Sequence, residues 1–173
     1  EPVHLVAGRE DVAVAGRVDD LSAADARTLV DALNRHFAED GIAFVAPRPD
    51  TWFVTTNARP DLVTVPLDTV LGSMMSPYLP TGGAARLWQR WSTEIQMLLH
   101  AHPVNQARAR LGLAPCNGVW FWGGGQLADV GLAAPFRVHA SAGRAADLVR
   151  GLALASGGEA MPLPGSFEAA IDA

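Results

Sequence analysis

The chain has 173 residues, 49 % of them apolar and 18 % charged, with a formal net charge of −5; this suits one domain with a single sizeable core and excludes disordered and collagen-like classes. All thirteen basic residues are arginine and they form no stripe, which excludes a protein that neutralises a row of nucleic-acid phosphates, a Schiff-base lysine and the lysine of a phosphate-binding P-loop. The single cysteine, Cys116, has no partner for an internal disulfide, no apolar run approaches the roughly 20 residues of a membrane span, and no secretory leader opens the sequence, so a cytoplasmic protein is expected, with neither membrane nor nucleic acid as partner. The chain starts at Glu1 rather than methionine and is read as a single domain over 1–173 that a longer gene product can contain.

Short β-type runs at His4 to Val6 and Val12 to Val14, parted by Gly8-Arg9-Glu10-Asp11, predict a hairpin. Ser22 then stands three residues before Asp25 in an approximate capping box, and Leu29, Val30, Leu33 and Phe37 recur at helical spacing up to Gly41. Ile42 to Ala46 and Thr51 to Thr56 predict a second hairpin around the turn Pro47 to Asp50. Prolines 60, 66, 77 and 80 punctuate an irregular stretch with one short helix near Asp68 to Met75. From Gly83 to Ala101 the apolar face of Leu87, Trp88, Trp91, Ile95, Leu98 and Leu99 predicts the long helix of the domain.

Pro103 must interrupt that helix, yet it suits the first position of a new one, which runs to Leu111 and stops at Gly112. Val119 to Trp122 is apolar throughout, as in a central strand covered on both faces, and Gly123-Gly124-Gly125 ends it. Phe136 to Ala140 predicts a strand, Ala145 to Ala155 a helix, and the tail beyond Gly157 a loop with a final short helix around Phe167 to Ile171. The fold class is therefore α+β: a mixed, largely antiparallel sheet of about five strands packed by three to four helices.

The segment from His100 to Gly125 holds the chemistry. A helix starting at Pro103 places His102, Asn105 and Arg108 on one stripe and Val104, Ala107 and Leu111 on the other side. Amides at a helix start favour anions and an arginine grips phosphate or carboxylate bidentately, so one reading is a small anion site. The other is structural: His102 and Asn105 cap the helix or tie it to the next loop, and Arg108 makes an ion pair. Gly123, Gly124 and Gly125 either bring amides to a phosphate or form a sharp turn. Neither a metal nor a cofactor is expected: His100 and His102 straddle a helix end without a cluster around them, and Cys116 lacks an activating base. Glu94 reads as a surface or paired carboxylate.

The stretches YLPTGGAARLWQRW and HPVNQARARLGLAPCNGVWFWGGG resemble the archaeal-type cofactor-independent phosphoglycerate mutases, in which a similar stretch lies in a domain inserted into an alkaline-phosphatase-like catalytic domain. The likeness covers Leu67 to Gly125 best, and is similar to bacterial proteins that carry this domain without the phosphatase part. It marks His102, Pro103, Asn105, Arg108, Gly112, Pro115, Asn117, Trp120, Trp122, Gly123 and Gly125. Where the family tends to have Pro-His-Asp, this chain has Pro66-Leu67-Asp68. It also lacks a serine or threonine nucleophile in context and the Asp and His ligands of the two metals such enzymes use. The resemblance thus implies a non-catalytic binding or regulatory module that recognises a small phosphorylated or carboxylated ligand, a protein partner or a second copy of itself. The alternative is a mutase that acts with a separate catalytic domain.

Overall fold

The structure is a computed structural model and describes residues 1–125, 135, 137–140 and 144–163. They fall into two compact units, Glu1–Gly124 and Gly125–Ala173.

In the first unit, β1 (Pro2–Ala7) and β2 (Val12–Arg17) form the antiparallel hairpin predicted at this end of the chain. Strand β5 (Gly118–Val119) joins the other side of β1, giving the order β2-β1-β5. Helix α1 (Ala23–His36) starts at Ser22, whose hydroxyl accepts from the Asp25 amide at 3.0 Å, and Gly41, at φ 72°, turns the chain towards the next strand. Strands β3 (Ile42–Arg48) and β4 (Thr51–Thr56) form a separate antiparallel pair. The helix expected near Asp68 to Met75 shrinks to one turn, α2 (Leu67–Val70), because the chain leaves helical space at Leu71 and Gly72 has φ 75°; a 3-10 turn follows at Ser76–Tyr78. Helices α3 (Ala85–His100) and α4 (Pro103–Arg110) meet where proline was expected to separate them.

Two apolar clusters hold this unit. The larger joins Leu29 and Leu33 of α1, and Phe37 at its C-cap, to Phe44 of β3, Trp52 of β4, and Trp88, Trp91, Ile95 and Leu99 of α3. Trp88 meets Trp91 and Phe121 edge-on, with ring centroids 5.3 and 4.8 Å apart, the arrangement that the ring quadrupoles favour. The smaller cluster lies around β1 and β2 and includes Val3, Leu5, Val14, Leu67, Val70 and Trp120.

The expected central strand at Val119 to Trp122 is not formed. Strand β5 has two residues and lies at a sheet edge. Beyond it, Trp120 enters the smaller cluster, Phe121 enters the larger one, and Trp122 is 45 % exposed. The run is apolar because successive side chains serve two separate cores. Leu87, placed on the apolar face of α3, is likewise exposed.

In the second unit β6 (Arg137–Ala140) pairs in parallel with β7 (Glu159–Pro162), with α5 (Arg144–Ala155) between them in sequence. This is the connection a parallel pair requires. Strand β7 lies in the stretch expected to be loop: Glu-Ala-Met-Pro contains no β-branched residue and ends in proline, so nothing local announces a strand. Phe136 and the helix expected around Phe167 to Ile171 lie outside the described residues. The α+β class with largely antiparallel pairing holds, its strands divided among three small sheets. Among the described residues no helix is long and apolar enough to cross a membrane.

Candidate functional site

Helix α4 is built inside out. Its buried residues are Asn105 and Arg108, 3 % and 4 % exposed, whereas Leu111, placed on its apolar side, is 75 % exposed. The polar stripe seen in the sequence therefore exists, and it faces the protein interior.

His102 occupies the N-cap, where its Nδ1 accepts from the Val104 amide at 3.2 Å. The accepting nitrogen must be unprotonated, and the surroundings favour that: burial, then the nearby Arg35 charge, hold the imidazole pKa below its ordinary value. The Asn105 and Gln106 amides both donate to the His102 carbonyl, at 3.0 and 3.1 Å, and Pro103 has no amide hydrogen. Every amide in the first turn that an anion would need is engaged.

Asn105 reads a peptide unit with its side chain. Its Nδ2 donates to the carbonyls of Cys116 and Leu99, each at 2.7 Å, and its Oδ1 accepts from the Cys116 amide at 2.8 Å. Asn117 does the same to Leu5, accepting from its amide at 2.7 Å and donating to its carbonyl at 2.8 Å. Asn34, in α1, treats Phe44 alike, at 2.7 and 2.9 Å. A carboxamide carries the same donor and acceptor as a peptide group, so each asparagine supplies what a neighbouring strand would. Sequence reasoning missed Asn34, since a lone asparagine in a helix gives no signal of what it meets ten residues later.

Arg108 is bonded at each of its three side-chain nitrogens: Nε donates to the Ala114 carbonyl at 2.9 Å, and the guanidinium pairs with the Asp20 carboxylate and its backbone carbonyl. The grip of Asp20 on Arg108 spans 88 positions of sequence. The glycine run is exposed. A Cβ at Gly123, Gly124 or Gly125 would meet nothing within 4 Å, and Gly123 has φ 71°, which fits a turn; no side chain needs to be absent for backbone to pack closely.

Around these residues the cavities are modest. A groove of about 410 Å³ is lined in part by His100, Asn105, Gln106 and Asn117, but the two asparagines face their backbone partners and Gln106 donates to the Ala101 carbonyl at 3.2 Å. A second cleft, bordered by Met75, Pro80, Gln96 and Trp120, has a volume of about 20 Å³, enough for about one water and not for a phosphorylated acid. Cys116 is buried and its thiol pKa is pushed up to about 12 by burial, so no thiolate forms at neutral pH. Glu94 is paired, to His36 at 3.1 Å and Arg90 at 3.3 Å. Among the described residues no three His, Cys, Asp or Glu side chains converge as a metal site.

Comparison with known proteins gives one class. The chain is similar to part of the 2,3-bisphosphoglycerate-independent phosphoglycerate mutases. That of Methanothrix thermoacetophila is 31 % identical over 112 residues, which cover 61 % of this chain and 27 % of the relative. A probable member from Geobacter sulfurreducens is 27 % identical over 152 residues, 84 % of this chain and 37 % of its own length. The Methanosarcina barkeri protein is 25 % identical over 163 residues, 87 % and 40 %. The chain thus spans between about a quarter and two fifths of these relatives. No protein-family model matches the chain, and no solved structure does.

Proposed function

We propose that this chain is a non-catalytic binding or regulatory module related to the inserted domain of the cofactor-independent phosphoglycerate mutases, and that its partner is a protein rather than a small anion. One observation carries the choice: His102, Asn105, Arg108 and Asn117 direct their hydrogen bonds to groups of the same chain. An anion site requires donors that are free to meet the ligand. The names of the relatives support the derivation.

The test is a thermal-shift titration of the chain with 3-phosphoglycerate and with inorganic phosphate to millimolar concentration. The expected outcome is no change in Tm. A ligand at 100 times its Kd would add about 2.7 kcal/mol of stability, so a shift of several degrees that disappears in Arg108→Ala would return the anion reading. Phosphoglycerate turnover by the chain in the presence of divalent metal would instead favour the mutase alternative.

A further inference from the structure

We infer that β4 is a pairing edge for a second copy of this chain, the two β4 strands running antiparallel about a two-fold axis at Val54. The inference starts from Asn34. Because its carboxamide holds both the N–H and the C=O of Phe44, those two groups point away from β4. Val54 stands directly opposite Phe44. In an antiparallel ladder such a pair exchanges no hydrogen bonds, so the N–H and C=O of Val54 point outward from β3. Trp52 and Thr56, two residues to either side, share that direction. No described residue hydrogen-bonds to these outward groups. The outer edge of β3 is blocked by Asn34, and among the described residues that of β4 is open.

The occupant follows from the strand itself. Thr51-Trp52-Phe53-Val54-Thr55-Thr56 contains no charge and no proline, two of the devices that keep an edge from pairing, and the register irregularity of this pair places its extra residue in β3, between Val45 and Arg48. An uncharged edge has nothing with which to select a charged partner, whereas its own copy matches it in register. With Val54 opposite Val54, the two exchange both hydrogen bonds. Trp52 then faces Thr56 of the second copy at one end, and the reverse holds at the other. Phe53, 55 % exposed, already sits across from Val45, 50 % exposed. The pairing sets Phe53 between Val45 on one side and Thr55 of the second copy on the other, an aromatic ring flanked by two β-branched residues, which is a favourable cross-strand arrangement. The product is a four-stranded sheet, β3-β4-β4-β3, in which Phe53 lies on an inner strand and Val45 stays on the outer one.

This inference depends on the edge geometry and not on kinship with the mutases, so either reading can fail alone. The test is sedimentation of the full 173-residue chain across a concentration series, with residue-resolved amide hydrogen exchange. We expect a mass that rises from 18.2 kDa towards twice that value, and amides of Trp52, Val54 and Thr56 that become protected as the dimer fills. Val54→Pro removes the central outward N–H and Phe53→Lys puts like charges on the shared face; each is expected to weaken the dimer about tenfold or more. Phe53→Lys alters an exposed side chain and decides the matter if the proline variant misfolds. A chain that stays monomeric to about 0.5 mM, near the weakest specific affinities, overturns the inference. So does a dimer whose three amides exchange freely, or one that Phe53→Lys leaves unchanged.

Discussion

Asn105 is the residue on which the α3–α4 junction turns, since one carboxamide satisfies an amide and two carbonyls in a place that water does not reach. Removing it leaves the Cys116 amide and carbonyl without partners, while the Leu99 carbonyl still accepts from the His102 amide at 3.1 Å, and each unpartnered buried group costs about 1–3 kcal/mol. Asn105→Ala is therefore expected to destabilise the fold by about 2 kcal/mol or more in urea unfolding. Asn105→Asp should do no better at neutral pH: a carboxylate still accepts from Cys116, but it turns a negative charge towards the Leu99 and Cys116 carbonyls. Acidification that protonates the carboxyl restores one donor and should recover part of the loss. A ligand-holding asparagine would behave otherwise, with both variants as stable as the parent. His102 adds a pH dependence of definite sign. Its folded pKa lies below the ordinary value of about 6.5, so above that value the ring is neutral in both states and the cap is intact. As pH falls below it, the unfolded chain takes up a proton that the folded protein refuses, and stability is lost down to the folded pKa. The stability–pH curve should show that acid-side loss, and His102→Asn, which retains a capping oxygen without titrating, should flatten it. These side chains stood out in the sequence as one stripe. Which way the stripe faced was not legible, because Cys116, Asp20 and Leu99 arrive from segments that periodicity does not connect.

At the scale of elements, helices with a broad apolar face could be read from sequence, and their ends could not always be. Helix α3 was visible from its tryptophans and leucines, yet its N-cap residue, Ala84, has no capping side chain. The cap comes from elsewhere: Asp61 accepts from the Gly83 amide through Oδ2 at 2.8 Å and from the Ala84 amide through its carbonyl at 3.0 Å. Asp61→Ala should thus cost about 1 kcal/mol, the usual effect of losing a cap, seen as a lower midpoint in denaturant at unchanged m-value. Strand β5 offers a harsher test. A Cβ at Gly118 would lie 2.5 Å from Leu5 Cδ1 and 3.3 Å from Val3 Cγ2, within the smaller cluster. Gly118→Ala forces Leu5 off its position, and overpacking of that kind costs about 1–3 kcal/mol. The glycine was visible in the sequence only as one more residue before an apolar run, since the strand that crowds it lies at the far end of this unit.

For the whole molecule, the distribution of buried residues matters more than their number. Among the described residues both apolar clusters are built from residues up to Phe121, and the three asparagine clamps and the Arg108–Asp20 pair close within the same stretch. A chain of 124 residues is also long enough to bury a core of its own. A fragment ending at Gly124 should therefore fold cooperatively, with the near-UV circular dichroism of its packed tryptophans and a single thermal transition close to one of those shown by the full chain. If the fragment is instead molten, with helical far-UV signal and no near-UV bands, the core must depend on residues past Gly124, and the division into two units would not be one of stability. The length and composition of the chain were compatible with either outcome. The distinction rests on where Trp120 and Phe121 go: by anchoring the end of the first unit in two cores at once, they close it before the glycine run begins.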